Sequence, residues 1–321
     1  MQDLYKGAHS IMFHHFHGGS HLPAQGSLSA DNFRKLIEYV KSNFNLINAN
    51  QFIEKHISKT LQVEDVCFSF DDALACQYDI AVPILNEMHI NAFFFIYSSP
   101  FTSSPDLLEV FRLFRTSNFK SIDNFYEEFF KLVKLKLKND NYQEFYKEYL
   151  KQNYLIDYPY YSQNDKWFRY IRDKVFNHKQ YLDLMLKMMK FHKFDIDAAK
   201  DILWMKKNDL YNLVDNDHIL GLHSDTHPTK MSSLPELDQM FEYEKNLSFL
   251  EEIVGKKNIL SMSHPCGDYN EDTLKILNRL GIKLGFRSNM KKLQSSSALE
   301  IPRDSHSNVF NKVIKNEDHI I

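Results

Sequence analysis

The chain has 321 residues, and its 43% hydrophobic and 25% charged residues are ordinary for one large globular domain or two smaller ones. A formal net charge of −3 gives no electrostatic reason to expect a nucleic-acid partner. The longest apolar run, NAFFFIY, is far shorter than the ~20 residues of a membrane-spanning helix. With no signal-like N-terminus and only three scattered cysteines, the chain is expected to be a cytoplasmic enzyme or binding protein without a disulfide framework.

Strand-like and helix-like segments alternate over the first hundred residues. HSIMFHHF, VEDVCFSF and INAFFFIY are typical of strands, and the third is apolar on both faces, as buried parallel strands are. SLSADNFRKLIEYVKSNF predicts a helix with Ser29 as its N-cap, and ALACQYDIAVPILNEM predicts a helix bent near Pro83. This alternation favours a parallel β/α architecture.

The middle of the chain breaks this alternation. Residues 101–216 show several amphipathic helical patterns, Lys-rich on one side and rich in Phe, Tyr, Leu and Met on the other, and no convincing strand. They predict an inserted helical subdomain, with a lid over the site as the more specific alternative. Four more strand-like segments follow: HILGLH, NILSMSHP, IKLGFRS and LEIPRDSH. The sequence therefore predicts about seven β/α units interrupted by one helical insertion.

Polar residues stand at the ends of nearly all these strands, where parallel β/α folds place their chemistry. The segment GLHSDTHPTK carries two of them, and Pro228 disfavours helical geometry at His227, so this histidine pair is expected where a strand passes into a loop. The full set is His14, His15, His17, Asp71, Asp72, His223, His227, His264, Arg303, Asp304 and His306.

One arrangement gives these residues a common chemistry. Two neutral imidazoles and a carboxylate can hold a divalent metal ion and leave positions open, as in hydrolytic zinc sites. Such an ion lowers the pKa of water from 15.7 to ~7, and a second carboxylate beside it can accept the proton. Adjacent Asp71 and Asp72 point to opposite sides within a strand, but a turn at the strand end would let one bind metal while the other faces substrate.

The segments that carry these residues resemble the NodB-homology polysaccharide deacetylases, which form carbohydrate esterase family 4. FSFDDA and HSDTHP resemble the first two motifs of that family, SHPCGDYN resembles its third, and LEIPRDSH resembles a late Ile-Pro-Arg segment. The resemblance implies a distorted (β/α)7 barrel formed by residues 1–100 and 217–321, with residues 101–216 as a large helical insertion.

Carried over position by position, the resemblance implies that Asp71 is the general base. It also implies that Asp72, His223 and His227 bind one divalent metal ion, with zinc as the expected identity. Ala73 departs from the pattern, because the family commonly has glycine after the aspartate pair.

Two family residues are missing from their usual places. The third motif lacks the arginine that orients the base, and Arg303 or Arg287 could supply that charge from a neighbouring strand. The Leu-x-His motif of the general acid is also absent. His306 is the first candidate for this acid, followed by His14 or His15.

The implied activity is removal of an acetyl or related acyl group from an amino sugar, or from a nucleotide- or lipid-linked sugar. The opening segment IMFHHFHGGSHLPAQGSLSADNF further resembles cytoplasmic members found with bacterial surface-sugar genes of the O-antigen type, which suggests a role in surface-polysaccharide biosynthesis. Two alternatives remain open. The same pocket could hydrolyse a cyclic imide or ureide, or the chain could be a catalytically silent sugar-binding protein on a deacetylase core.

Overall fold

A computed structural model describes residues 6–102, 105–156, 161–255, 259–293 and 297–317. The first five residues of the N-terminal segment and Asn258, which opens the predicted strand NILSMSHP, lie outside this description. The chain divides into two compact units, one formed by residues 1–106 and 201–321 and the other by residues 107–200.

A single parallel sheet organises the first unit. Its main strands follow the order β7–β6–β5–β4–β3–β1–β8, and the short β2 pairs with β3 outside this path. The segment 298–301 hydrogen-bonds to β7 and then runs directly into β8, so the two edges of the sheet nearly meet. The predicted distorted (β/α)7 barrel with a helical insertion is confirmed. The strands are β1 His9–Phe13, β2 Asn45–Leu46, β3 Asp65–Asp71, β4 Phe93–Ile96, β5 Ile219–Leu222, β6 Ser261–Ser263, β7 Leu284–Phe286 and β8 Arg303–Ser305.

Strand β4 shows why an unbroken apolar run is needed. Successive side chains of a strand point to opposite faces, and here both faces are covered. Phe93 and Phe95 lie in one buried cluster with Phe286, whereas Phe94 stacks on Phe70 with ring centroids 4.7 Å apart. The sequence FFF therefore contributes side chains to the hydrophobic packing on both faces of the sheet.

Helices surround the sheet and fill the second unit. Ser29 caps α1 as predicted, since its Oγ accepts a hydrogen bond from the N–H of Asn32. The segment for which a helix bent near Pro83 was predicted forms a π-helical turn at Gln77–Ala81, followed by an α-helix at Val82–Glu87. Pro83 lies in the first turn of that α-helix, where proline is tolerated. The helices are α1 Ala30–Asn43, α2 Ala49–Ile57, α3 Val82–Glu87, α4 Ser99–Thr102, α5 Leu108–Ser117, α6 Ile122–Leu137, α7 Asn139–Leu150, α8 Gln163–Tyr170, α9 His178–Phe191, α10 Ile196–Leu203, α11 Lys207–Asp215, α12 Glu236–Val254, α13 Glu271–Arg279 and α14 His306–Glu317.

The second unit is helical throughout its described residues, 107–156 and 161–200, which contain no strand. Within the ranges that the structure describes, no helix has both the length and the apolar character that crossing a membrane requires.

Candidate metal and acid–base site

The adjacent carboxylates Asp71 and Asp72 stand at the carboxyl end of β3 and point to different partners. Asp71 is the last residue of the strand, and the chain then turns through left-handed backbone at Asp72 (φ 78°) and Ala73 (φ 53°). Alanine adopts this conformation at some cost in strain, and its carbonyl is held by the N–H of Met205 at 2.9 Å. The predicted turn at the strand end is therefore present despite the missing glycine.

Asp72, His223 and His227 form a compact buried cluster. Oδ1 of Asp72 lies 3.4 Å from Nε2 of His223 and 3.3 Å from Nε2 of His227. One ligand atom from each of the three residues falls within 4.8 Å of the others. Two ligands bound at ~2.1 Å to a tetrahedral zinc ion would themselves lie ~3.4 Å apart, so the spacing suits such an ion.

The chemistry of the donor atoms also fits a cation. Oδ1 of Asp72 is fully buried and accepts no hydrogen bond from the described residues. Nδ1 of His223 lies 2.8 Å from the carbonyl oxygen of Ser263. Because a carbonyl only accepts, Nδ1 carries the hydrogen and Nε2 presents a lone pair towards Asp72, which is the usual arrangement for a metal-binding histidine. Lone pairs that face each other in a buried site are satisfied by a cation.

Burial and charge act against each other on the three groups. Burial would raise the pKa of Asp72, but the surrounding imidazoles, that of His227 foremost, outweigh it and lower the pKa well below the usual range. Burial lowers the pKa of His227, which favours the neutral ring that a metal requires. Burial acts in the same direction on His223, but the carboxylates Asp71 and Asp72 reverse it and raise the pKa.

Helix α12 stabilises the loop after β5, which carries His223 and His227. Asn246 accepts a hydrogen bond from the main-chain N–H of His223, and Glu242 accepts from the N–H groups of Asp225 and Thr226. Nζ of Lys245 lies 2.6 Å from Oδ2 of Asp225. Asp225 thus stabilises the loop, and His227 adopts a positive φ of 57° just before Pro228.

Arg303 binds the second carboxylate in a bidentate pair. Its two terminal nitrogens lie 2.7 Å from Oδ1 and 2.7 Å from Oδ2 of Asp71. It also donates to Oγ of Ser263 and to the carbonyl of Arg287. Burial would raise the pKa of Asp71, but Arg303 outweighs it and lowers the pKa, so the carboxylate stays ionised. Of the two arginines predicted for this position, Arg303 therefore makes the contact.

Arg287 has a different environment. Its guanidinium donates to the carbonyl oxygens of Glu300 and Lys291 and to the side chain of Asn289, so these contacts hold the chain around β7.

The candidate acids are placed differently from the order that the sequence suggested. Nε2 of His14 lies 3.8 Å from a carboxylate oxygen of Asp71 and 3.8 Å from one of Asp72, and its side chain is 29% exposed. His15 stacks beside it, with ring centroids 6.1 Å apart.

His306, the first candidate, is held by main-chain carbonyls instead. Its ring nitrogens lie 3.2 Å from the oxygen of Met12 and 2.7 Å from that of Gly26, and the ring stacks on Phe13. His14 rather than His306 therefore faces both aspartates.

Gln77 is a buried polar residue that the sequence did not single out. Its Nε2 donates to the main-chain carbonyl of His14 at 2.8 Å and to that of Asp71 at 2.6 Å. It therefore ties together the ends of β1 and β3, which carry the candidate acid and the candidate base. A glutamine within a mostly apolar helical segment offers no local pattern by which this role is recognisable.

The fold is a (β/α)7 barrel with the cluster at the carboxyl ends of its strands. Residues 180–285, which include both histidines of the cluster, match the family model described as polysaccharide deacetylase, so the predicted resemblance is confirmed. No curated protein sequence matches the chain.

Solved structures share this fold along nearly the whole chain. IcaB from Ammonifex degensii is 12% identical, with a TM-score of 0.57 and 97% of each chain covered. A de-N-acetylase from Aggregatibacter actinomycetemcomitans is 14% identical, with a TM-score of 0.53, covering 92% of this chain and 93% of its own. The Streptococcus pyogenes deacetylase PplD, determined in complex with acetate, is 14% identical, with a TM-score of 0.51 and coverages of 94% and 93%. At such identities the likeness concerns the fold.

Proposed function

We propose that this protein is a metal-dependent N-deacetylase that removes an acetyl or related acyl group from an amino sugar, free or linked to a nucleotide or lipid. The observation that carries the proposal is the pairing, at one strand end, of an arginine-bound carboxylate with an Asp–His–His cluster. The family match supports a sugar substrate. Two structural neighbours are described as a deacetylase and a de-N-acetylase, which supports the reaction type.

Asp72, His223 and His227 are the residues that would hold a divalent cation, with zinc as the expected identity. A cation there would supply Lewis-acid polarisation of the acyl carbonyl and lower the pKa of a water molecule. The protein's own contribution is to keep both imidazoles oriented, through Ser263 for His223 and through the loop contacts for His227.

Asp71 is proposed to accept the proton of the attacking water. Arg303 donates one hydrogen bond to each carboxylate oxygen, and Oγ of Ser263 donates a second to Oδ2 at 3.3 Å, so Oδ1 keeps a lone pair that can accept a proton. The bidentate contact also prevents rotation of the carboxylate, so this lone pair keeps one direction. A positioned base of this kind contributes typically ~10²–10⁴ in rate.

His14 is proposed to donate the proton to the leaving amine. Its Nε2 lies next to both carboxylates, and its partial exposure leaves one side of the ring open to a substrate. In the complete reaction a bond forms between the water oxygen and the acyl carbon while the C–N bond breaks. The water proton passes to Asp71 and the imidazolium proton passes to nitrogen, which yields a carboxylic acid and a free amine. The cytoplasmic location and the role in surface-polysaccharide synthesis belong to this proposal through the likeness of the N-terminal segment.

The decisive experiment combines metal analysis with substrate screening. The purified protein is assayed for zinc and other divalent metals, and then for acetate release from N-acetylated amino sugars and nucleotide-linked N-acetyl sugars, with and without chelator. A cyclic imide and a ureide are included as competing substrates. We expect about one metal ion per chain and chelator-sensitive release of acetate from a sugar.

His227→Ala is expected to lose the metal, whereas the matched substitution of the exposed His178 is expected to keep it. Full metal content in His227→Ala would contradict the ligand assignment. Metal binding with hydrolysis of the imide or ureide alone would replace the sugar substrate by the amidohydrolase alternative. Sugar binding without any hydrolysis would favour the catalytically silent protein.

A further inference from the structure

Ser263, the last residue of β6, contacts both the candidate base and a candidate metal ligand. Its carbonyl oxygen lies 2.8 Å from Nδ1 of His223. Its Oγ lies 2.7 Å from a terminal nitrogen of Arg303 and 3.3 Å from Oδ2 of Asp71. The residue is fully buried, so water does not compete for these contacts.

The direction of the two side-chain hydrogen bonds follows from the groups involved. A guanidinium only donates, so Oγ of Ser263 accepts from Arg303. A serine hydroxyl carries one hydrogen, and this hydrogen is left to donate to Oδ2 of Asp71. The hydroxyl of Ser263 therefore has one orientation, pointing from the arginine towards the carboxylate.

The same contacts use every donor of Arg303. Its Nε donates to the carbonyl of Arg287 at 2.7 Å. One terminal nitrogen donates to Oγ of Ser69 at 3.3 Å and to Oδ1 of Asp71, and the other donates to Ser263 and to Oδ2 of Asp71. A guanidinium has five N–H groups, so none is left over. Any rotation of this buried side chain would therefore break a hydrogen bond that water cannot replace.

Ser263 makes the two carboxylate oxygens of Asp71 unequal. Oδ2 accepts from both Arg303 and Ser263, whereas Oδ1 accepts from Arg303 alone within the described ranges of the chain. Each carboxylate oxygen has two lone pairs, so those of Oδ2 are both used and one on Oδ1 is left. Oδ1 can receive a proton without the loss of an existing contact.

We propose that Ser263 is a positioning residue whose hydroxyl occupies Oδ2 of Asp71 and so reserves Oδ1 for the attacking water. The inference rests on the proposed function, since it takes Asp71 as the base. In the step concerned, an O–H bond of the water breaks and its proton binds to Oδ1, while the water oxygen forms a bond to the acyl carbon. Ser263 keeps its own proton throughout and touches neither reacting atom.

Strand β6 also supplies the matched control. Ser261 lies two residues before Ser263, so the two side chains point to the same face of the sheet. Both serines are fully buried, but Oγ of Ser261 has no hydrogen-bond partner among the residues that the structure describes. Ser263→Ala and Ser261→Ala thus remove the same atom from the same strand, and the first alone removes contacts with the site.

The first test is steady-state kinetics with the N-acetylated sugar that the wild type hydrolyses, together with metal analysis. We expect Ser263→Ala to lower kcat roughly tenfold with KM and metal content unchanged, because a hydrogen bond to a charged group is lost. Ser261→Ala is expected to match the wild type in all three quantities. An unchanged kcat in Ser263→Ala, or a loss of its metal, would overturn the proposal. Ser263→Cys, which keeps the volume and a weak donor, replaces Ser263→Ala should that variant fail to fold.

Ser69→Ala shows whether Ser263 acts on Asp71 or only holds Arg303. Ser69 accepts from the other terminal nitrogen of Arg303 and does not contact the carboxylate. We expect Ser69→Ala to lower kcat less than Ser263→Ala does. Equal losses in the two variants would overturn the assignment of Oδ2 to Ser263.

A second test needs no turnover. Urea denaturation measures how much Ser263→Ala lowers the free energy of unfolding in the wild type and in Asp71→Asn. We expect the smaller loss in Asp71→Asn, because a hydrogen bond to a neutral amide is weaker than one to a carboxylate. Ser261→Ala should cause the same change in both backgrounds.

Equal losses for Ser263→Ala in the two backgrounds would overturn the contact on which the proposal depends. A protein that hydrolyses no sugar but shows the unequal losses would contradict the proposed function while keeping the contact between Ser263 and Asp71. The two failures are therefore distinguishable.

Discussion

Arg303 and Asp71 stand on two strands separated by β1 and meet through two parallel hydrogen bonds of 2.7 Å, one to each carboxylate oxygen. Both side chains are buried, so neither is screened by solvent. This contact holds the proposed base ionised and in one orientation, and it gives the arginine a testable role in positioning rather than in the reaction itself.

Arg303→Lys should lower kcat by about 10²-fold while leaving the metal content unchanged. A lysine keeps the charge but offers a single point donor, so it cannot hold both oxygens of Asp71, and a small misplacement of a catalytic group has an effect of this size. Steady-state kinetics and metal analysis of the same preparation measure the two quantities. Arg279→Lys, at an exposed arginine paired with Glu236, is the control. Loss of metal in Arg303→Lys would show that the arginine supports the ligand cluster instead.

The adjacent aspartates should fail in different ways. Asp72→Asn should lose metal and activity together, and added metal should restore part of both. Asp71→Asn should retain its metal but lose ~10²–10⁴ in turnover, which added metal should not restore, because proton transfer is what is missing. Metal content and turnover of both variants, with and without added zinc, separate these outcomes. If Asp71→Asn loses the metal and Asp72→Asn keeps it, the assigned roles are reversed.

His14 and His306 should differ in the same assay. His14→Gln should lower kcat by ~10²–10⁴ with the metal retained, because the ring faces both aspartates. His306→Gln should lower kcat less than tenfold and act mainly on stability, because its ring contacts main-chain carbonyls and Phe13. Thermal denaturation alongside the kinetics measures the second effect. The opposite ranking of the two kcat values would return His306 to the position of general acid.

Gln77→Met should reduce kcat with metal content and KM little changed. Methionine has a similar volume but cannot donate hydrogen bonds to the carbonyls of His14 and Asp71. The ends of β1 and β3 therefore lose the side chain that bridges them. The matched control is Gln239→Met. Gln239 lies on α12, is also fully buried and donates a hydrogen bond to the main-chain carbonyl of Leu234. Both substitutions are expected to lower the free energy of unfolding by about 1–3 kcal/mol. An equal effect of the two variants on kcat would contradict a positioning role for Gln77.

Acid should destabilise the fold partly through His218, which precedes β5. Its Nδ1 accepts the N–H of Ala92, its Nε2 contacts Asn86, and burial lowers its pKa to about 4. An unfolded histidine titrates near 6.5, so below that pH the unfolded state binds a proton that the folded state does not. The free energy of unfolding should therefore fall between pH 6.5 and 4, by up to about 3 kcal/mol from this group.

His218→Gln should reduce that pH dependence relative to the wild type. Urea denaturation at pH 7, 6, 5 and 4 measures the free energy of unfolding of each protein. The exposed His178, replaced in the same way, controls for the loss of one histidine. Parallel curves for the wild type and His218→Gln would rule out the proposed contribution.

Features that depend on neighbouring residues in the chain could be predicted from the sequence. The cap at Ser29, the doubly buried FFF run and the loop after β5 follow from rules that act over a few residues. Local sequence rules could not show which of the candidate residues contact and orient the site. Asp71 and Arg303 are separated by 232 positions, and nothing local distinguishes Arg303 from Arg287. The order of the candidate acids was uncertain for the same reason, because it depends on which ring faces β3 after the barrel forms.

The contacts from helix α12 determine how the HSDTHP segment could be transferred to another protein. The segment HSDTHP owes its shape to Glu242, Lys245 and Asn246, which lie within about one turn of that helix and bind the loop's main chain and Asp225. Copied alone into another barrel, the six residues would lack these contacts, and the rings of His223 and His227 would be free to separate. The transferable part is therefore the loop together with the helix that follows it, a module of more than thirty residues (His223 to Val254) instead of a short signature.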